Sequence, residues 1–282
     1  MPLVVPSLEM DIAHACNLHC YGCSHYSNHT LKGVLGFDVG DAWLRAWHRR
    51  VRPGQFALLG GEPALNPDLS RYVRLVAELW PEARREVISN GMFLDRHPDL
   101  FRALGETGTS LELSIHSRHD APYLERMEAV LAAVRDKAQA EGVNVNARVA
   151  MDHFHVSYRG YGTAMRPFAD GDPVRSWHHC RNKGCITLHL NRLWKCPPIA
   201  FLGLVLDRYG LGDLPDWQPY LADPGVGLDG ADEDILRLYQ DREEPICAMC
   251  PARPNMIQNL DVTRPFQAGD APPFRRVRAR GG

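Results

Sequence analysis

The sequence predicts an α/β fold: a partial (β/α)6-type barrel built on a parallel sheet, followed by a small C-terminal domain. Three observations carry this. Strand-like runs alternate with helix-like runs up to about residue 150, the pattern expected of a parallel sheet with right-handed crossovers. The pattern then breaks, and aromatic residues and glycine take over from His153 to Gly162. Finally, the eight cysteines fall into two groups on either side of a long cysteine-free stretch.

The elements follow in order. Leu8–Ile12 alternates apolar and acidic residues and stops just before Cys16, as a strand should. Phe56–Leu59 is a short apolar run halted by Gly60 and Gly61, and Glu86–Ile88 runs into Ser89, Asn90 and Gly91. Leu111–Ile115 and Val143–Val149 alternate again. The clearest helix is Asp120–Glu141, with Leu124, Met127, Leu131, Val134 and Ala138 on one face and Pro122 in the first turn. Five or six such units are too few to close an eight-stranded barrel, so an open, curved sheet is expected. In such sheets ligands bind at the carboxyl ends of the strands. There lie Cys16, the Gly60-Gly61-Glu62-Pro63 turn, Asn90 and the Ser114–His116 segment.

Beyond residue 152, Asp170-Gly171-Asp172-Pro173 reads as a turn. Ile186, Leu188 and Leu190 alternate with Thr187 and His189; Asn191-Arg192 turns the chain, and Leu193–Cys196 returns as a hairpin partner. Asp232–Arg242 reads as a short helix. The barrel is therefore assigned to residues 1–165 and the C-terminal domain to residues 166–282.

Composition limits the function. Hydrophobic residues make up 45% and charged residues 23%, values that support a packed core. A formal net charge of −2 gives no reason to expect nucleic acid. The run Arg275, Arg276, Arg278, Arg280 reads as a solvated tail. No secretory signal and no apolar run of about 20 residues is seen, so no membrane association is expected and the protein is expected in the cytosol. In that reducing compartment clustered cysteines point to metal chemistry rather than disulfides.

Cys16, Cys20 and Cys23 are spaced C-x3-C-x2-C. Three thiolates in one polar loop suit a soft metal centre and fit the two-pair layout of zinc sites badly. An iron–sulfur cube held by three thiolates keeps one iron open for another ligand. This loop resembles the signature of the radical S-adenosylmethionine superfamily, and Gly60, Gly61, Glu62 and Pro63 match that family's Gly-Gly-Glu-Pro motif. The resemblance implies a 4Fe-4S cluster on Cys16, Cys20 and Cys23. It implies S-adenosyl-L-methionine chelated at the open iron, with Glu62 and the glycine backbone holding the cofactor's ammonium. It also implies an electron donor such as flavodoxin or ferredoxin. Asn90, Ser114 and Arg148 fall where the family contacts the cofactor. Gly22 departs from the family, which commonly has an aromatic residue there; Tyr21 lies one place earlier.

The later cysteines, Cys180, Cys185, Cys196, Cys247 and Cys250, resemble the auxiliary-cluster domain called twitch, with Asn191 in place of its usual hairpin glycine. The resemblance implies a second 4Fe-4S cluster. Five cysteines compete for four positions. If Cys180, Cys185 and Cys196 are ligands, one of the Cys247/Cys250 pair is spare; if the twitch pattern holds strictly, Cys185 is spare. The sequence reading takes Cys247 as the spare, catalytic thiol and the other four as ligands. A thiol is a good hydrogen-atom donor, and the family includes epimerases of sugars and aminoglycosides that use one. The expected function is therefore hydrogen abstraction from a carbinol carbon of a small polyhydroxylated or amino-sugar substrate, with epimerisation. The alternatives are a twitch-type dehydrogenase, a peptide-modifying enzyme and a non-enzymatic iron–sulfur or zinc protein. About 15 residues precede Cys16, too few for a peptide-docking domain. Among the histidines, His116 is placed to meet substrate, whereas Tyr158 and Tyr161 are expected to pack in the core.

Overall fold

A computed structural model describes residues 1–148, 153–168, 170–267 and 273–277. Val149, Arg278 and Arg280 lie outside the described residues. In chain order the elements are β1 (Leu3–Ala13), α1 (Phe37–His48), β2 (Val51–Gly60), α2 (Leu69–Leu79), β3 (Arg84–Ser89), α3 (Leu100–Thr107), β4 (Ser110–Ser114), α4 (Ala121–Glu141), β5 (Val145–Arg148) and β6 (His153–His155). There follow α5 (Pro173–His179), β7 (Thr187–His189), β8 (Arg192–Trp194), α6 (Pro197–Ala200), α7 (Leu202–Tyr209), α8 (Gln218–Leu221), α9 (Asp232–Leu238), β9 (Met256–Asn259) and β10 (Phe274–Arg276).

The strands form a seven-stranded sheet in the order β5-β4-β3-β2-β1-β7-β8. All neighbours are parallel except the β7–β8 hairpin. The fold is thus the expected α/β architecture with an open parallel sheet. The hairpin joins β1 through Glu9↔Thr187 and Met10↔Leu188, so the main sheet takes strands from both sides of residue 165. A second sheet, β10-β9-β6, does the same. Arg275 and Arg276 belong to β10 and pair with Gln258 and Ile257; they are exposed, as expected, but form a strand and not a tail.

Alternation along the strands separates two faces. Leu8, Met10 and Ile12 of β1 enter one core with Trp47 of α1, Tyr72 and Val76 of α2 and Leu104 of α3. Glu9, between them, lines a cavity on the opposite face. A second core, including Leu18, Tyr26, Phe154, Ile199, Trp217 and Ile257, covers that face. Helix α4 begins as expected: Asp120 accepts the Tyr123 N–H at 3.1 Å, and Pro122 sits in its first turn. The hairpin turns at Leu190 and Asn191, both left-handed (φ 50° and 56°), while Arg192 already belongs to β8. No helix among the described residues is long and apolar enough to cross a membrane.

Candidate active site

The first cysteine loop leaves the end of β1 and is pinned from the C-terminal part of the chain. Asn259 of β9, fully buried, accepts the Tyr21 N–H at 2.9 Å and donates to the Tyr21 carbonyl at 3.2 Å. The His19 N–H donates to the Val262 carbonyl at 2.7 Å. Gly22 has a left-handed φ of 79°, and a Cβ there would come within 2.9 Å of Val156 Cγ2. That explains the absence of an aromatic residue: the backbone and the space both require glycine. Tyr21 packs against Tyr161, Phe266 and Phe274, so its ring serves the second core. Tyr158 is buried there too.

Cys16, Cys20 and Cys23 line one cavity of about 400 Å³. Burial pushes the Cys16 and Cys20 thiols above the usual thiol range. A soft metal centre supplying positive charge is what would let such thiols deprotonate. Thiolates around a cube each take a different iron, so three thiols lining one cavity are a donor set that fits it.

The same cavity is lined by Gly60, Gly61, Ser89, Asn90, Ser114 and Arg148, from the ends of β2, β3, β4 and β5. The glycine turn lies against the start of the cysteine loop: Gly61 N–H donates to the Ala13 carbonyl at 2.7 Å and Glu62 N–H to the Ala15 carbonyl at 2.9 Å. A Cβ at Gly60 or Gly61 would stand 2.3 Å from the Ala13 or Ala15 carbonyl oxygen. Glu62 and Pro63 are buried and do not line the cavity. Glu62 instead frames it. One carboxylate oxygen accepts the Ala64 N–H at 2.9 Å and the Ser89 hydroxyl at 2.6 Å; the other accepts the Asn90 N–H at 2.8 Å. Asn90 donates to Asn17 Oδ1 at 2.9 Å, tying the turn to the cysteine loop. Arg148 donates to Glu112 through Nε at 2.6 Å.

The later cysteines divide. Cys180, Cys196, Cys247 and Cys250 line a second, tight cavity together with Lys195 and Trp177. Cys185 does not; it lines the first cavity with Cys16, Cys20 and Cys23. Nearby is a residue that sequence reasoning passed over as a functional candidate. Glu9 lines the first cavity together with Cys185 and accepts the Thr187 hydroxyl at 3.0 Å. Burial raises its carboxyl to about 7. The acid–apolar alternation of Leu8–Ile12 was the available signal, since acids on a strand covered on both faces are costly unless used. Asp11, on the same face of β1, pairs with His25 at 2.7 Å. Ser27 Oγ and Asn28 Oδ1, on cavity-lining residues that are each 2% exposed, have no hydrogen-bond partner among the described residues. His116 lines the cavity as expected, and burial holds its imidazole neutral, with a pKa lowered to about 4.

Residues 10–147 match the family model of the Radical SAM superfamily. This segment is a radical SAM domain. It runs from β1 to β5 and contains the Cys16–Cys23 loop and the Gly60–Pro63 turn. No curated protein matches it. Among solved structures, native anSMEcpe with bound AdoMet and a Cp18Cys peptide is similar at 18% identity and a TM-score of 0.37, over 52% of this chain and 42% of that one. The chain therefore spans under half the length of that protein. BtrN in complex with AdoMet and 2-DOIA is similar at 16% identity and a TM-score of 0.47, over 89% and 94% of the two chains. Streptococcus suis SuiB bound to S-adenosylmethionine is similar at 14% identity and a TM-score of 0.33, over 88% and 77%.

Proposed function

We propose that this radical SAM enzyme epimerises a carbinol carbon of a small amino-sugar or aminoglycoside-type substrate, with Cys185 returning the hydrogen atom. One observation carries the reading: a single cavity gathers the cysteine loop, the glycine turn and the strand ends together with a fourth thiol, Cys185, that belongs to neither the loop nor the second cavity. When bound, the cluster and S-adenosyl-L-methionine would supply a carbon radical that abstracts hydrogen from the substrate.

The chain's own residues hold and orient. Cys16, Cys20 and Cys23 would carry the first 4Fe-4S cluster. The Gly60–Gly61 backbone, Asn90, Ser114 and Arg148 would contact the cofactor, with Glu62 acting through the strand ends it bonds. Cys180, Cys196, Cys247 and Cys250 would carry the second 4Fe-4S cluster, because they share one cavity. The count of cysteines left one spare and the epimerase resemblance favoured Cys247 as donor; its place in the second cavity, with Cys185 in the first, supports Cys185 in that role instead. In the return step the Cys185 S–H bond breaks and a C–H bond forms on the substrate. The thiyl sulfur left behind needs one electron and one proton, the electron coming from a carrier such as ferredoxin or flavodoxin.

A thiol hydrogen exchanges with water and the substrate C–H does not. Turnover in deuterated water should place one deuterium on the inverted carbon, and Cys185→Ala should abolish product while cofactor cleavage continues. A ketone lacking two hydrogens, with no deuterium in carbon, would establish the dehydrogenase reading instead. Deuterium in the product of the Cys185→Ala protein would remove Cys185 from the step.

A further inference from the structure

The polar residues of the first cavity sort by strand. Gly60, Ser89, Asn90, Ser114 and Arg148 lie on β2 to β5, in one half of the sheet; Glu9 on β1 and Cys185 just ahead of β7 lie in the other. The two strands are directly paired, Glu9 opposite Thr187. The Thr187 hydroxyl stands between them, 3.0 Å from the Glu9 carboxylate and 3.2 Å from the Cys185 carbonyl. Of the two acids on this face of β1, Asp11 is taken by His25. Glu9 has no ion pair among the described residues; its carboxylate accepts the Thr187 hydroxyl and lines the same cavity as Cys185.

From this juxtaposition we propose that Glu9 is the positioning residue of Cys185: its carboxylate, fixed by Thr187 on the wall of the cavity that both residues line, holds the nearby sulfur in the thiol form. The inference rests on the reading of Cys185 as hydrogen donor. A donor must carry its hydrogen; a thiolate has none to give. A nearby carboxylate opposes thiolate formation by like-charge repulsion. Burial acts first in the same direction, and Glu9 adds to it. The other charged or titratable groups near this pair are Asp11 with His25, the buried Tyr239 beside Glu9, and Cys180 and Arg181 on the segment of Cys185 itself. The unpartnered Ser27 Oγ and Asn28 Oδ1 mark the same cavity as one that receives a polar ligand.

The test is alkylation of the iron-loaded protein by iodoacetamide under anaerobic conditions, read at each cysteine by peptide mass spectrometry across a range of pH. Cys185 should be labelled slowly while Cys180, Cys196, Cys247 and Cys250 stay protected. Glu9→Gln, which keeps shape and removes charge, should speed Cys185 labelling about tenfold at fixed pH, moving its pH profile down by about one unit. Thr187→Val should move it the same way by less. An unmoved profile in both variants would overturn the role of Glu9. So would a rise that is equal at every pH or shared by Cys180, because it would report loosening rather than charge. Protection of Cys185 until iron is removed would make it a cluster ligand and overturn the donor reading together with this one.

Discussion

Glu62→Gln separates framing of the cofactor turn from contact with the cofactor. The carboxylate is fully buried and accepts three hydrogen bonds, from Ala64 N–H, Ser89 Oγ and Asn90 N–H. An amide cannot replace it in either orientation. With its oxygen toward Ala64 and Ser89, its NH2 faces the Asn90 N–H; with its oxygen toward Asn90, its NH2 faces the Ala64 N–H. One buried backbone donor is always left unpaired. A hydrogen bond to a charged group contributes about 1.5–3 kcal/mol, and relief of carboxylate burial, the main cause of the raised Glu62 pKa, offsets part of this. A net loss of about 2 kcal/mol should lower Tm by roughly 5 °C in a chain of this size. Thermal unfolding of the anaerobic protein should show that loss, and titration with S-adenosyl-L-methionine should show weaker binding, because Asn90 and the glycine turn move. Ser89→Ala should cost less in the Glu62→Gln background than alone. An unchanged Tm with much weaker cofactor binding would refute the reasoning, since the carboxylate would then be touching the cofactor itself.

Two further outcomes are expected. Anaerobic reconstitution should give about eight irons per chain; replacing Cys180, Cys196, Cys247 or Cys250 by Ala should cost about four of them, and Cys185→Ala should cost none, as checked by iron and sulfide analysis. Stability should fall with acid before carboxylates titrate: burial lowers His29 to about 3 and His116, His155 and His189 to about 4. Their contribution is full above the unfolded value of about 6.5 and is lost as pH falls toward the folded values, up to about 1.4 kcal/mol per pH unit for each group. Glu9, raised to about 7, works in the opposite sense. Urea unfolding between pH 6.5 and 5 should show a net loss, and a flat profile would refute the neutral burial of these histidines.

Much of this was legible in the sequence, for physical reasons that differ by element. The Asp120–Glu141 helix announced its own cap, first-turn proline and apolar face, and α4 matches it. Strand β2 begins at Val51, five residues before the run Phe56–Leu59, because Arg52, Pro53 and Gly54 carry no strand pattern. They are held by β1 alone, whereas β3 joins only from Gln55 onward, and a proline is tolerated where one edge needs no donor. The structure brings Cys16, Cys20, Cys23, Gly60 and Gly61 to one cavity; the cysteines were picked out from their spacing and the glycines from the family motif, since each set lies within one loop or turn. The sorting of Cys185 from Cys247 was not, because it depends on which side of β1 the hairpin pairs. Glu9 was hidden for the same reason: its neighbours Thr187 and Cys185 are more than 170 residues away in the chain.

The central claim is that the Cys16–Cys23 loop and the Gly60–Gly61 turn together cleave S-adenosyl-L-methionine by reduction. The direct measurement is formation of 5′-deoxyadenosine and methionine by the iron-loaded protein with dithionite under anaerobic conditions. The account predicts both products from the wild-type protein and neither from Cys16→Ala, Cys20→Ala or Cys23→Ala. Intact S-adenosyl-L-methionine after incubation with reduced, fully loaded wild-type protein, or undiminished 5′-deoxyadenosine from any of the three variants, would contradict it.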